Sequence, residues 1–399
     1  MLRVERHIQV RDDQLDHLCF LSKNLYNYVN YLIRREFSTT HKLLDKYKLV
    51  HELAKQNQVD FRALPSNVAQ QVVYQLFKNW KSFFKANKDY KKHPEKYKSR
   101  PNPPQYKHKE NGRNLLVFTK ASFTVKEGFI YFAKDVVQPL KTKVSNIKEV
   151  RVTPQSSCYV IEIIYNKEVC SNGILSKNLY VSIDLGINNL ATLVTNSETH
   201  PVLVNGRILK SMNQFYNKEK ARLQSYIGDK GTSKRIDHLT LRRNNKVHDY
   251  MHKVSRFIIN YCLKHQIGNI VIGYNPQWKD EVNLGKRTNQ KFVSIPYLKL
   301  VKQIQYKAEE VGITVFLNEE SYTSKCDALA LEKIEKHDAY LGKRIKRGLF
   351  KSSTKKLLNA DVNGSLNILR KVIGDGFINL LNIGLADNPV RINPYQYAL

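Results

Sequence analysis

Cysteine is sparse and unpaired in this chain: Cys19, Cys158, Cys170, Cys262 and Cys326 stand alone, with no repeated spacing. An odd, scattered set excludes a disulfide framework and suits a reducing cytosol. Apolar stretches are equally short. None approaches the roughly 18 residues that a membrane-spanning helix requires, and Met1-Leu-Arg-Val-Glu-Arg-His opens without a signal-peptide core. A soluble, cytoplasmic protein with no membrane partner is therefore predicted. Acidic residues are also scarce, with 35 Asp and Glu against 66 Lys and Arg, a formal charge of +31. An excess of that size draws in a polyanion and supplies nonspecific phosphate binding. Basic scaffold proteins tend to be short or low in complexity, whereas 42% hydrophobic residues over 399 positions can build more than one core. Charge and length together predict a nucleic-acid partner.

What is present begins with a short alternating strand over 1–10. A helix over 13–36 follows, its stripe formed by Leu15, Leu18, Leu21, Leu25, Tyr28 and Leu32. Residues 40–60 are polar and Lys-rich. The next helix starts at Leu64-Pro-Ser66, with Ser66 as its N-cap, and runs through Val68, Val72, Leu76, Trp80 and Phe83. Its other face carries Lys78, Lys81, Lys85 and Lys88, and a Pro-rich basic segment with Tyr97 and Tyr106 comes next. Cations interleaved with aromatics suit backbone neutralisation and base stacking. From 113 to 170 the period drops to two, predicting short strands that the 1–10 strand joins in a small β-barrel. The helical region, 11–109, interrupts that barrel.

From about 179 the order is three strands, two helices, then strand, helix, strand, helix. This predicts an α/β, ribonuclease H-like domain over 179–324 and 350–373. A basic insert occupies 325–349, and 374–399 reads as a tail. Parallel strands place their carboxyl ends, and active sites, on one edge. Asp184 ends a strand in Tyr180-Val-Ser-Ile-Asp-Leu-Gly-Ile-Asn-Asn-Leu-Ala-Thr, and Asp361 begins a helix in Asn359-Ala-Asp-Val-Asn-Gly-Ser-Leu-Asn-Ile-Leu. Two-metal phosphodiester chemistry needs carboxylates there to hold divalent ions about 4 Å apart, and oxygen ligands favour Mg²⁺ or Mn²⁺. The strand Asn269-Ile-Val-Ile-Gly273 ends without the acid such a site needs. Asp280, Glu281, Glu319 and Glu320 are candidates to replace it. Glu319 and Glu320 end the neighbouring strand, about 4.8 Å across the sheet. Alternation turns one of them inward, and Glu320 is chosen.

Val181-Ser-Ile-Asp-Leu-Gly-Ile-Asn-Asn-Leu-Ala-Thr, Tyr322-Thr-Ser-Lys and the Asn359–Ile368 run resemble the RuvC signatures of the TnpB family, transposon-encoded relatives of the type V CRISPR effectors. The likeness extends to Leu64-Pro-Ser, Trp80-Lys-Ser-Phe-Phe and His248-Asp-Tyr-Met-His-Lys-Val-Ser. The resemblance implies an RNA-guided DNA endonuclease that takes a structured guide RNA from the transposon end and cuts double-stranded DNA beside a short motif. It also implies a wedge-like barrel (1–10 plus 110–178) and a helical recognition domain (11–109), with base pairing supplying the remaining specificity. Asp184, Glu320 and Asp361 would be its metal ligands.

Two positions depart from the family. Gly273 stands where glutamate is usual, and Asn318-Glu-Glu-Ser-Tyr-Thr-Ser-Lys resembles a branch whose glutamate has moved to the later motif. The family's two Cys-x-x-Cys pairs are reduced to Cys326, with His337 the nearest other ligand, so no zinc is expected. In their place Lys343, Arg344, Lys346 and Arg347 form a basic run suited to the strand entering the active site. The competing expectations are a nuclease-inactive guided repressor, an RNA-cleaving nuclease, and a DDE-type transposase. No separate helix-turn-helix supports the last.

Overall fold

The computed structural model describes residues 2–9, 12–133, 136–169, 175–228, 231–275, 295–378 and 388–396. It divides into two compact units, 1–167 and 168–399. Among the described residues no helix is long and apolar enough to cross a membrane.

In the first unit, β1 (Leu2–Gln9) precedes α1 (Asp13–Thr40), α2 (Lys46–Lys55), α3 (Val59–Ala63) and α4 (Ser66–Lys92). Asp12 caps α1 by accepting the Leu15 N–H at 2.9 Å. The polar 40–60 stretch thus holds α2 and the start of α3, helices that bury only Leu49, Leu53 and Phe61, too few to mark a stripe. Ser66 is the first residue of α4 rather than its cap. Pro65 occupies that position and offers no side-chain acceptor. A polar face of α1 straps down the chain that follows α4. Asn27 donates to the Lys107 carbonyl at 2.9 Å, Asn30 to that of Pro104 at 3.0 Å, and Ser22 to that of Leu115 at 2.9 Å.

The strands β2 (Leu116–Thr119), β3 (Phe123–Lys126), β4 (Phe129–Phe132), β5 (Leu140–Lys141), β6 (Ile147–Gln155) and β7 (Cys158–Asn166) complete this unit. β1 does join them, pairing antiparallel with β7. The expected closed barrel is replaced by two sheets, β1-β7-β6-β2 and β3-β4-β5. A 3₁₀ turn at Lys120–Ser122 breaks the chain between β2 and β3, so the ladder does not continue. Helices and strands share one core running from Leu15 through Trp80 to Ile163.

The second unit contains β8 (Ser176–Asp184), β9 (Asn189–Thr195), β10 (Val202–Asn205), α5 (Arg207–Gln224), α6 (Lys234–Lys264), β11 (Ile267–Gly273), α7 (Tyr297–Glu310) and β12 (Thr314–Asn318). It continues with β13 (Lys343–Lys346), β14 (Leu349–Lys351), β15 (Leu357–Asn359), α8 (Ala360–Ile373) and β16 (Val390–Ile392). The main sheet has the order β12-β11-β8-β9-β10-β16. β8, β9 and β10 are antiparallel neighbours, whereas β11 and β12 run parallel to β8. That is the predicted ribonuclease H-like arrangement.

Three boundaries differ from expectation. α6, which the apolar spacing predicts only from Val247, begins at Lys234, where Ser233 caps it; its first turns bury only Ile236, too little to mark a stripe. The basic insert does not stop at 349: β13, β14 and β15 form a three-stranded sheet reaching Asn359. The segment 374–399 is more than a tail, since Val390–Ile392 adds a parallel strand beside β10, with Ile392 buried. Pairing between distant segments leaves no local signature.

Candidate active site

The parallel strands set the site's edge. Ile272 pairs with Ile183 and Gly273 with Asn318, so Asp184, Gly273 and Asn318 end neighbouring strands together. Asp184 closes β8 opposite Thr192 of β9.

α8 lies against this edge, and its polar residues explain the run Asn359-Ala-Asp-Val-Asn-Gly-Ser-Leu-Asn. Asn359 caps the helix by accepting the Asp361 N–H at 2.9 Å. Asp361 accepts a 2.7 Å hydrogen bond from Asn189 of β9, which orients its carboxylate. A Cβ at Gly364 would come within 3.2 Å of Asp184 Oδ2, so glycine lets the helix approach that acid. The Ser365 hydroxyl donates to the Thr192 carbonyl at 3.1 Å, and the Ser182 hydroxyl donates to the Ser365 carbonyl at 2.7 Å.

Glu320 lies beyond the end of β12, where the chain turns back. Thr323 fixes the turn by donating its hydroxyl to the Glu320 carbonyl at 2.8 Å. Asn367 donates to the carbonyls of Thr323 and Cys326 at 2.8 and 2.7 Å, and Asn363 to that of Cys326 at 2.8 Å. The turn brings Glu320 over β11: a Cβ built on Gly273 would lie 3.0 Å from Glu320 Oε2 and 2.5 Å from Ile368 Cδ1. Glu320 and Ile368 thus fill the space that a side chain on Gly273 would need. Glu319 is exposed and turned to another task, since Lys371 reaches its carboxylate at 3.1 Å and Ser321 donates to it at 2.7 Å. Asp280 and Glu281 lie outside the described residues.

Electrostatics supports the convergence. Part of Asp184 still faces solvent, yet burial, then the like charges of Asp361 and Glu320, hold its carboxyl well above the usual range, with Arg344 opposing. Burial first, then Glu319, pushes Glu320 up to about 7, against Lys371. Glu319, despite its own burial cost, is drawn below the usual range by Ser321 and Lys371. Among the described residues, no three His, Cys, Asp or Glu side chains form a ready single-ion cage. Instead Glu320 lies on the β11 side of Asp184 and Asp361 on the β9 side, so these three carboxylates are the side chains that would hold divalent ions along this edge. The donors are all carboxylate oxygens, fitting Mg²⁺ or Mn²⁺, and a dication would relieve their mutual repulsion.

A pH dependence follows. In the metal-free protein Glu320 keeps its proton up to about 7, whereas the unfolded chain releases it near the ordinary 4.5. The folded state therefore binds more protons in that window, and Glu320's contribution to stability falls as pH rises through it. Thermal melts at about pH 5 and pH 8 will show this loss, and Mg²⁺ will reverse it at the higher pH. A Glu320→Gln variant whose metal-free melts keep the full pH dependence would contradict the assignment.

Of the other predicted residues, those on α4 and in the segment after it belong to the first unit and those of the insert to the second. Lys78, Lys81, Lys85 and Lys88 are exposed on α4. Tyr97 is half-buried: its hydroxyl donates to Asp89 at 2.8 Å and its ring packs edge-on against Tyr90. Tyr106 is 48% exposed beneath the Arg34 guanidinium. Lys343, Arg344, Lys346 and Arg347 are all exposed on the insert hairpin, and Arg344 reaches Asp361 at 3.8 Å. Cys326 is buried with its thiol donating to the Glu335 carbonyl, while His337 meets the Lys333 carbonyl at 2.8 Å. Cys170 lies outside the described residues.

Sequence reasoning missed Asn189, Arg207, Asp327 and Arg391. Asn189 sits inside a quoted run, but nothing local connects it to Asp361. Asp327 is fully buried, and its carboxylate organises the insert. It accepts the Ser352 hydroxyl at 2.8 Å, the Ser353 N–H and hydroxyl at 2.7 and 3.1 Å, and the Leu329 and Ala330 N–H groups at 3.2 and 3.3 Å.

Residues 174–279 match the OrfB_IS605 family, described as a probable transposase, and residues 297–368 match the Cas12f1-like TNB domain. The chain is 30% identical over 209 residues to TnpB-like protein ORF457 of Acidianus two-tailed virus. That match covers 49% of this chain and only 42% of the viral protein, so the chain spans less than half of that relative's length. Among solved structures, the Cas12f1–sgRNA–target DNA complex matches at 13% identity and a TM-score of 0.38, covering 92% of this chain and 98% of that one. The mini-RNA-guided endonuclease CRISPR-Cas phi3 matches at 10% identity and a TM-score of 0.42, covering 93% and 92%. Scores that low carry no argument about fold. The two family matches fall on the strands and helices that carry Asp184, Glu320 and Asp361, and over these segments the chain is similar to TnpB-type proteins.

Proposed function

We propose that this protein is an RNA-guided, divalent-metal-dependent DNA endonuclease of transposon origin. The observation that carries the reading is Glu320 filling the space over Gly273. With it, carboxylates from three separate elements lie along one edge of a ribonuclease H-like sheet. When bound there, two Mg²⁺ or Mn²⁺ ions supply an activated water and neutralise charge on the leaving oxygen. Asp184, at the end of the central strand, would hold them together with Glu320 and Asp361, and Asn189 orients Asp361. The excess of 66 Lys and Arg over 35 Asp and Glu supplies affinity for a guide RNA encoded at the transposon end and for double-stranded target DNA. Pairing with the guide would choose the target. A nuclease-inactive repressor requires a lost acid, and Glu320 beside Gly273 counts against it.

The test is cleavage of guide-matched duplex DNA by the full chain, purified with its co-expressed RNA, in Mg²⁺. Wild type will cut. Asp184→Asn and Asp361→Asn will keep duplex affinity while cleavage drops by about a thousandfold, the several kcal/mol expected for lost metal stabilisation. Tight, guide-dependent binding by wild type without any cut product would overturn the nuclease reading in favour of the repressor.

A further inference from the structure

Beside Asp361 opens a cavity of about 430 Å³, within the range of small-ligand sites, lined in part by Arg207, Arg344, Arg347 and Arg391. The four arginines come from three places distant in sequence. Arg207 is the first residue of α5, Arg391 lies on the edge strand β16, and Arg344 and Arg347 belong to the insert hairpin. A register shift between Arg344 and Lys346 changes the alternation along the hairpin, so that both Arg344 and Arg347 face the cavity. Arg344 has Asp361 at 3.8 Å. Among the described residues, Arg207, Arg347 and Arg391 have no carboxylate within ion-pairing distance. Four guanidinium groups around one acid repel one another unless an anion fills the space. Guanidinium is also the side chain best shaped for two-pronged contact with phosphate.

We propose that this cavity is a phosphate subsite for the nucleic-acid strand engaged at the carboxylates. It would hold a phosphodiester flanking the one being cut. The proposal rests on the nuclease reading for its neighbour but stands on its own residues. Its position beside Asp361 favours the strand backbone over a free anion. Arg207 and Arg391 then grip a linkage that the metal ligands do not touch, and the substrate strand must continue past the cut on that side. The C-terminal strand β16 acquires a role as the carrier of one of these grips.

The test uses the guide-loaded full chain and matched DNA in which a single neutral methylphosphonate is stepped along the target strand. Binding is read by fluorescence anisotropy in Ca²⁺, and cleavage separately in Mg²⁺. Wild type should lose about tenfold in affinity at one linkage near the cut, and the Arg207→Gln/Arg391→Gln variant should be weaker by a similar factor and indifferent to neutralisation there. Both side chains are exposed, so the substitutions leave the core intact. Inorganic phosphate, added as a competitor, should not displace the strand at concentrations that leave ionic strength unchanged. Equal sensitivity of variant and wild type at that linkage, or wild-type affinity in the variant, would overturn the subsite. Position-specific binding without cleavage would keep the subsite and discard the nuclease. Cleavage without position-specific loss would do the reverse.

Discussion

Glu320→Ala will abolish cleavage, by about a thousandfold, while guide-dependent DNA binding persists. A glutamate returned to position 273 of that variant will restore part of the activity once Ile368 is shortened to valine. The triple change follows from the packing. A Cβ at 273 would lie 2.5 Å from Ile368 Cδ1 and 3.0 Å from Glu320 Oε2. Gly273→Glu alone therefore forces two carboxylates and a methyl group into space for one, and it will lower both stability and cleavage. Removing the Glu320 carboxylate and the Ile368 terminal methyl opens the room, and the new acid starts beside Asp184 on the adjacent parallel strand. Parallel cleavage assays of the three variants decide the matter. Full activity in Glu320→Ala would show that the third ligand lies elsewhere, and Glu319→Ala and Glu281→Ala are the variants to compare.

The second large effect is expected at Asp327, remote from the metal ligands in role. Its carboxylate accepts five hydrogen bonds with no exposure to solvent. Asp327→Ala leaves those donors buried without an acceptor, at a cost of about 3–5 kcal/mol, among the larger single-substitution penalties. The loss should be local. Glu332 receives the Asp327 and Leu341 N–H groups, and Gly342 sits so close that a Cβ there would lie 3.0 Å from Asp327 Oδ2. The hairpin carrying Arg344 and Arg347 depends on the same knot. Hydrogen exchange will show protection lost over 327–359 and retained over 176–273, and cleavage will weaken with the basic hairpin unplaced. Uniform loss of protection, or none, would contradict this local role.

The elements around Asp184 and Asp361 were legible because each has a local pattern: an apolar strand with a terminal acid, and an acid in the first turn of a helix. Gly273 pointed to the neighbouring strand for its missing acid, but alternation does not place Glu320, which lies past the end of β12 in a turn held by Thr323 and Asn367. What escaped was set by distance in sequence. Arg391 reaches the site only because β16 pairs with β10, and three exposed-to-buried residues carry no periodicity. Arg207 shows its role only when α5 is placed beside the insert. The first turns of α6 were invisible because an exposed polar helix has no stripe. The barrel was over-read because period-two segments reveal strands but not which edges meet, and the 3₁₀ turn at Lys120–Ser122 parts the two sheets.

The bonds from α8 to the 320s turn have a mechanical consequence. Asn363 and Asn367 tie the helix to the turn that carries Glu320, and the same helix carries Asp361. An acid on Gly273 would have been fixed to the sheet together with Asp184. Glu320 instead hangs from the helix that bears Asp361, and that helix is itself bonded to β8 and β9 through Ser365. One helix therefore clamps the turn on one side and the sheet on the other, so a substitution that loosens it disturbs the supports of all three acids together.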